Sequence, residues 1–160
     1  MSWCSVLVLL VVACAASAYP IHASCILSWS FPNTNCSFVN VALVSQIKNW
    51  GMNTPCGSTE KCRYQLKSSS SKKLKLTHST PVRNYTDCIE FSFFPKKKFG
   101  CEVYGFSISE IWYALLDFGT NYCNMHNLLT GAGLDKARGF VEKTDNSICT
   151  EYTTANCNKY

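Results

Sequence analysis

No run of about 18 apolar residues, the length that a membrane-spanning helix needs, occurs in the chain. The longest apolar stretch, Val6 to Val12, passes into the small residues Ala13 to Ala18 and meets polar sequence after Ile21. The segment therefore reads as a secretory leader rather than an anchor. Ala16-Ser17-Ala18 fits an A-x-A cleavage site, which makes residues 1–18 a signal peptide and Tyr19 the first mature residue. Its one departure from the usual pattern is that nothing between Met1 and Ser5 is basic.

Other absences narrow the chemistry. No C-x-x-C pair is present, and Cys123-Asn124-Met125-His126 is the only spacing that suggests metal ligands, so neither a metal nor a cofactor is expected. No G-x-S-x-G elbow is present either, which removes the usual setting of a nucleophilic serine. Thr130-Gly131-Ala132-Gly133 lacks the remaining glycine and the lysine of a phosphate loop and reads as a turn. There is no internal repeat, and Ser68 to Ser71 is the only low-complexity tract. Residues 19–160 are accordingly expected to form a single cysteine-rich domain.

Cysteine is what the chain has in excess. Of its eleven cysteines, Cys4 and Cys14 fall in the leader, and Cys25, Cys36, Cys56, Cys62, Cys88, Cys101, Cys123, Cys149 and Cys157 remain. An oxidising secretory route pairs most of them. The odd count leaves one cysteine free or intermolecular, so a disulfide-linked homodimer stays open. Cys56 with Cys62 and Cys149 with Cys157 are the expected local loops. Two sequons, Asn35-Cys36-Ser37 and Asn84-Tyr85-Thr86, point to the same secreted, extracellular compartment, and Asn84 is the better acceptor because early oxidation of Cys36 would hinder Asn35.

Charge is scarce and unevenly placed. Residues 48–98 carry eleven Lys or Arg against Glu60, Asp87 and Glu90, a net charge of +8, whereas residues 101–160 carry four basic and seven acidic residues, a net charge of −3. Lys61, Arg63, Lys67, Lys72, Lys73, Lys75, Lys96, Lys97 and Lys98 are therefore candidates for one basic surface. Such a surface would meet an anionic glycan, a membrane surface or an acidic protein. The plainer reading is a solvated face whose lysines keep an edge strand from pairing with other chains.

Hydrophobic periodicity predicts one N-terminal helix over Ser37 to Trp50, capped by Ser37 and stopped at Gly51, followed by a change of period towards two. Strands are expected over Lys72–Thr77, Cys88–Phe94 and Phe99–Ser107, the last two joined as a hairpin through Pro95 and the three lysines. Ile111–Phe118 is apolar on both faces and is expected to be a central, doubly buried strand. Gly119–Gly133 is dense in Asn, Gly and Thr and is expected to be turn-rich, with a short strand over Met125–Leu129 at most. The predicted fold is α+β to mostly β: one helix on a curved antiparallel sheet of about five strands, stapled by disulfides.

Two constellations remain. His78 and His126 are candidates for acid–base work, and a small basic secreted chain with several disulfides is similar in those respects to the pancreatic-type ribonucleases. That resemblance implies two catalytic histidines and a phosphate-binding lysine, although the family's Cys-Lys-x-x-Asn-Thr-Phe element is absent here. The aromatic set Phe91, Phe93, Phe94, Phe99, Tyr104, Phe106, Trp112, Tyr113, Phe118 and Tyr122 would suit an apolar small molecule. Phe118 to Tyr122 resembles the Thr-Asp-Tyr element of the secreted lipocalins, with Asn121 in place of Asp and without their Gly-x-Trp element. The expected function is that of a secreted extracellular binding or structural module, acting through the basic surface of residues 61–98 or through the aromatic sheet, with no nucleic acid partner. A small secreted hydrolase and a toxin or defence protein are the alternatives.

Overall fold

The computed structural model describes residues 22 to 111 and 113 to 160. The proposed leader, with Cys4 and Cys14, and Trp112 lie outside the described residues. The fold is α+β: a six-stranded antiparallel sheet in the order β2-β3-β4-β5-β1-β6, with two α-helices packed on one face. The strands are β1 (Ser24–Phe31), β2 (Tyr64–Ser69), β3 (Lys73–Ser79), β4 (Thr86–Pro95), β5 (Cys101–Ser109) and β6 (Val141–Lys143), and the helices are α1 (Cys36–Asn49) and α2 (Thr120–Gly131).

β1 is not among the expected strands, although buried and outward positions alternate along it. Cys25, Leu27, Trp29 and Phe31 are buried on the helix-covered face, while Ser28 and Ser30 point outward. From β1 the chain crosses the sheet through α1 to the far edge, then returns as the meander β2-β3-β4-β5. The last strand pairs with β1 from Ser24 opposite Ile108 to Phe31 opposite Cys101. The predicted hairpin is present as β4 and β5, turning at residues 96–100. Lys67 sits at a register shift in the edge strand β2, a bulge of the kind that discourages edge-to-edge pairing.

α1 begins one residue before Ser37, and its cap is Asn35, whose side-chain oxygen accepts the Phe38 N–H at 2.8 Å. Cys36, Val39, Leu43 and Ile47 recur at helical spacing and form its buried stripe. Together with Leu27, Trp29, Phe91 and Met125 they fill the space between helices and sheet. Trp29 stacks on Phe91 with ring centroids 5.2 Å apart.

Two expectations about residues 111–133 are overturned. None of the described residues between 111 and 118 is in a strand. Tyr113, Leu115, Leu116 and Phe118 are exposed, and the segment is tied to the N-terminal strand region by the Ala23 N–H to the Ala114 carbonyl and by His22 to the Ile111 carbonyl. Residues predicted to be turn-rich instead form α2. Its asparagines at positions 121, 124 and 127 recur every third residue, all buried. Their amides donate to Ala23 O, Asp87 Oδ2 and Tyr160 O. An asparagine engaged in tertiary bonds no longer competes for its own helix backbone, which is what normally makes it a poor helix residue.

Four disulfides staple the fold: Cys25–Cys149, Cys36–Cys101, Cys56–Cys62 and Cys123–Cys157. The short loop at Cys56 is as expected. Cys149 and Cys157 are not bonded to each other, because the segment around Cys149 lies beside β1 in an isolated bridge with Cys25, while Cys157 reaches α2. Among the described residues no helix is long and apolar enough to cross a membrane.

Candidate functional site

The hairpin geometry gives the sheet two chemically different ends. At one end lie the β2–β3 turn, the β4–β5 turn and the start of α1. At the other lie the β3–β4 loop (residues 80–85), residues 110–119, Glu60 and the C-terminal residues Lys159 and Tyr160.

A cavity of about 660 Å³ opens at the second end. Its mouth is apolar: Val82, Tyr85, Tyr113, Leu115, Leu116 and Phe118 line it, and all are exposed, Leu116 to 68%. A contiguous apolar patch of this kind on a small domain marks a contact site more often than a packing accident. Its floor is acidic, formed by Glu60, Asp87 and Asp117. Asp87 is buried at the start of β4 and accepts from Ser109 Oγ and Asn124 Nδ2, both at 2.7 Å. Asp117 accepts from the Gly119 and Asn121 N–H groups and from Asn121 Nδ2, closing the first turn of α2.

Burial raises the pKa of all three carboxyls. For Glu60 the charge of Asp87 adds to burial; for Asp87 the Ser109 and Asn124 hydrogen bonds only partly offset it; for Asp117 the bonds from Asn121 and Gly119 do the same. Oε2 of Glu60 is buried with no hydrogen-bond partner among the described residues. Arg83 and Lys159 also line the cavity. Clustered carboxyls of raised pKa in an apolar cleft are what a functional site requires physically. Among the described residues no group of three or more His, Cys, Asp or Glu could hold a metal ion.

The two histidines proposed for acid–base work sit in separate clusters. His78 is 1% exposed. It stacks on Tyr64 at 4.6 Å, and its Nε2 donates to the Glu60 carbonyl at 2.9 Å. Burial lowers its pKa from 6.5 to about 4, against the backbone bond to Glu60, which favours the charged form. His126, on α2, stacks on Tyr122 and lies 3.6 Å from Glu142 Oε2. That carboxylate also accepts from Trp29 Nε1 and the Tyr122 hydroxyl, both at 2.7 Å. Burial alone would raise the Glu142 carboxyl, but these hydrogen bonds outweigh it and hold it below the ordinary value.

The His78 shift has a measurable consequence. A folded-state pKa below the unfolded one means that the unfolded chain binds the extra proton, so stability from this group is full above pH 6.5 and is lost as pH falls towards 4. The loss is roughly 3 kcal/mol. The raised acidic groups act oppositely, since their protonation on acidification relieves a burial cost. In His78→Phe, which keeps a ring against Tyr64, denaturant titrations between pH 6.5 and 4 are expected to lose this downward component. An unchanged slope would show that His78 is not the titrating group.

The predicted basic surface is divided by the fold. Lys72 and Lys96 to Lys98 gather at the first end of the sheet. Lys73 and Lys75 point from the outer face of β3 to a shared partner, Glu90, and Lys96 pairs with Glu102 at 3.0 Å. Lys67 lies on the β2 edge against Gln65. Lys61 and Arg63 lie near the second end, where Arg63 donates to the carbonyls of Thr80 and Pro81.

The aromatic set is likewise divided. Phe91, Phe93 and Tyr122 are in the core, Phe94, Tyr104 and Phe106 stand on the outer sheet face, and Tyr113 and Phe118 are at the cavity mouth. The apolar site is therefore an end pocket rather than the interior of a lined sheet, which α1 and α2 fill. Asp87 and Glu60 are not singled out by the sequence, and Asp117 is legible there only as the cap of the turn at Gly119 and Thr120, where it accepts from the Gly119 N–H. The only available signal is the apolar run 111–118, too hydrophobic for a loop.

Among the described residues Cys88 is the cysteine without a disulfide partner. It lies on the outer face of β4, its thiol donates to Glu110 Oε1 at 3.1 Å, and burial followed by that carboxylate pushes its pKa up to about 11. The attacking species in disulfide formation is the thiolate, which this upward shift disfavours. Asn35 and Asn84 are both exposed, Asn84 at the tip of the β3–β4 loop.

No protein-family model matches the chain, and no curated protein matches its sequence.

Proposed function

We propose that this chain is a secreted, disulfide-stapled glycoprotein that binds a small amphipathic cation in the pocket at the end of its sheet. The observation that carries this reading is the pairing of an exposed apolar mouth with a floor of three carboxyls, buried at Asp87 and Asp117 and half-buried at Glu60, whose Oε2 has no partner among the described residues. An unpaired buried acceptor is costly, and a ligand ammonium supplies donors to Glu60 Oε2 and to the spare lone pairs of Asp87 and Asp117. The apolar body of the ligand covers Leu115, Leu116 and Phe118. Export through an oxidising route accounts for four disulfides, with Asn84 as the glycosylated sequon. Intact mass of the secreted protein, reduced by glycosidase by the same amount in the native chain and in Asn35→Ser, checks the glycan.

The binding test compares tryptamine with its neutral isostere tryptophol by calorimetry at about pH 7.5. The amine is expected to bind at least tenfold more tightly, and Glu60→Gln is expected to remove about tenfold, the value of one charge-assisted hydrogen bond. Acidification should weaken the amine as the carboxyls protonate. Equal affinity for the amine and the alcohol, or no binding of either, would sink the assignment.

A further inference from the structure

The geometry points to the opposite end of the sheet as a docking surface for an anionic lipid bilayer. The inference rests on different residues from the pocket and does not depend on it. Two turns and a helix start converge there. The Cys36–Cys101 disulfide clamps the first turn of α1 to the start of β5, and the Asn40 amide donates to the Ser70 carbonyl at 3.0 Å, holding the β2–β3 turn against α1.

Between α1 and the β4–β5 turn runs an open groove of about 670 Å³, lined by Phe38, Val41, Pro95, Lys96 and Phe99 among others. Phe99 is 79% exposed. It is held outward by an unusual backbone, since Lys98 and Phe99 both have positive φ, 60° and 71°. Consecutive left-handed residues other than glycine are costly and persist where the surrounding fold imposes them.

At this end stand Lys97 and Lys98, in the turn that carries Phe99, and Lys72, in the β2–β3 turn beside Phe93, all exposed and without an ion-pair partner among the described residues. The facing acidic group, Glu102, is already neutralised by Lys96. Free lysines on two turns of one end attract any polyanion, but Phe99, Phe38 and Val41 favour a bilayer over a sulfated glycan, because only a bilayer offers an apolar interior beneath its anionic surface. Binding then combines electrostatic attraction to the headgroups with burial of a few apolar side chains at the interface.

The test is flotation of the secreted protein with phosphatidylcholine vesicles, alone or carrying about 30% phosphatidylserine, and with heparin in parallel. Asn35 lines the same groove, so Asn35→Ser, which keeps a helix cap and removes the sequon, is run beside the native chain. Binding is expected only to the anionic vesicles and should fall with added salt. Lys97→Gln with Lys98→Gln is expected to weaken it about thirtyfold, from roughly 1 kcal/mol per lysine. In Phe99→Trp, brominated lipid is expected to quench the indole fluorescence that the substitution adds at the tip. Both sites are exposed, so these variants fold. Equal partition onto neutral vesicles, no partition at all, or heparin retention without that quenching in Phe99→Trp would each overturn the inference, the last in favour of a glycan.

Discussion

Loss of the Cys25–Cys149 bridge in a Cys25→Ala/Cys149→Ala variant is expected to remove about 4 kcal/mol of stability and about 15 °C of melting temperature. The two residues are 124 positions apart in sequence. A cross-link that closes so long a loop removes more entropy from the unfolded chain than a short one. Both cysteines are fully buried, so the alanines also leave the edge of the core underfilled. The same logic ranks the other staples: Cys36–Cys101 and Cys123–Cys157, with separations of 65 and 34, come next, and Cys56–Cys62, with a separation of 6, comes last at about 2 kcal/mol. Denaturant titration of the four double-alanine variants tests the order. If the Cys56–Cys62 pair costs as much as Cys25–Cys149, loop closure is not the source of the stabilisation.

Gly119→Ala is expected to cost about 2 to 4 kcal/mol and to loosen the cavity at the same time. Gly119 begins α2 with φ of +76°, a conformation that L side chains rarely adopt, and a Cβ there would lie 2.7 Å from the Cα of Ala155. Because the obstruction is backbone rather than the end of a flexible side chain, the C-terminal segment must move. That segment carries Lys159 and Tyr160, which line the cavity, and Gly119 follows two residues after Asp117. The variant is therefore expected both to melt earlier and to bind tryptamine at least tenfold more weakly. Val82→Ala, at an exposed position on the mouth, should leave stability within about 0.5 kcal/mol of the native chain. A Gly119→Ala protein of native stability would show that the close approach to Ala155 is not constraining.

The elements legible in the sequence are those whose own residues state their environment. The alternation of Leu74 and Leu76 with Lys73 and Lys75 marks β3, and the aromatic hairpin around Pro95 marks β4 and β5. The recurrence of Phe38, Val41, Ala42, Val44 and Ile47 marks α1 as a helix but not its inward side, since the buried stripe is Val39, Leu43 and Ile47 while Phe38 and Val41 are exposed. β1 is less clear, because Ile26 interrupts the alternation on its outer face and the strand lies close behind an apolar leader. The candidate site is not legible in this way. Asp87, Asp117 and Glu60 are far apart in the chain, and a carboxyl becomes unusual only when neighbours from β5, α2 and the C-terminal segment take water away from it.

Composition and spacing by themselves determined the chemical setting: a chain rich in cysteine, with an odd thiol, an α+β pattern and basic residues concentrated between positions 48 and 98. The tertiary structure alone decided what residues 111 to 133 do. In the apolar stretch 111–118, Tyr113, Leu115, Leu116 and Phe118 are exposed at the mouth of a cavity instead of lying in a buried strand. The asparagine-rich stretch 120–131 becomes a helix because Asn121, Asn124 and Asn127 bond to Ala23, Asp87 and Tyr160. Helix propensity is a weak local preference of under about 1 kcal/mol per residue, and buried hydrogen bonds to distant parts of the chain outweigh it. No window of sequence contains both partners of such a bond.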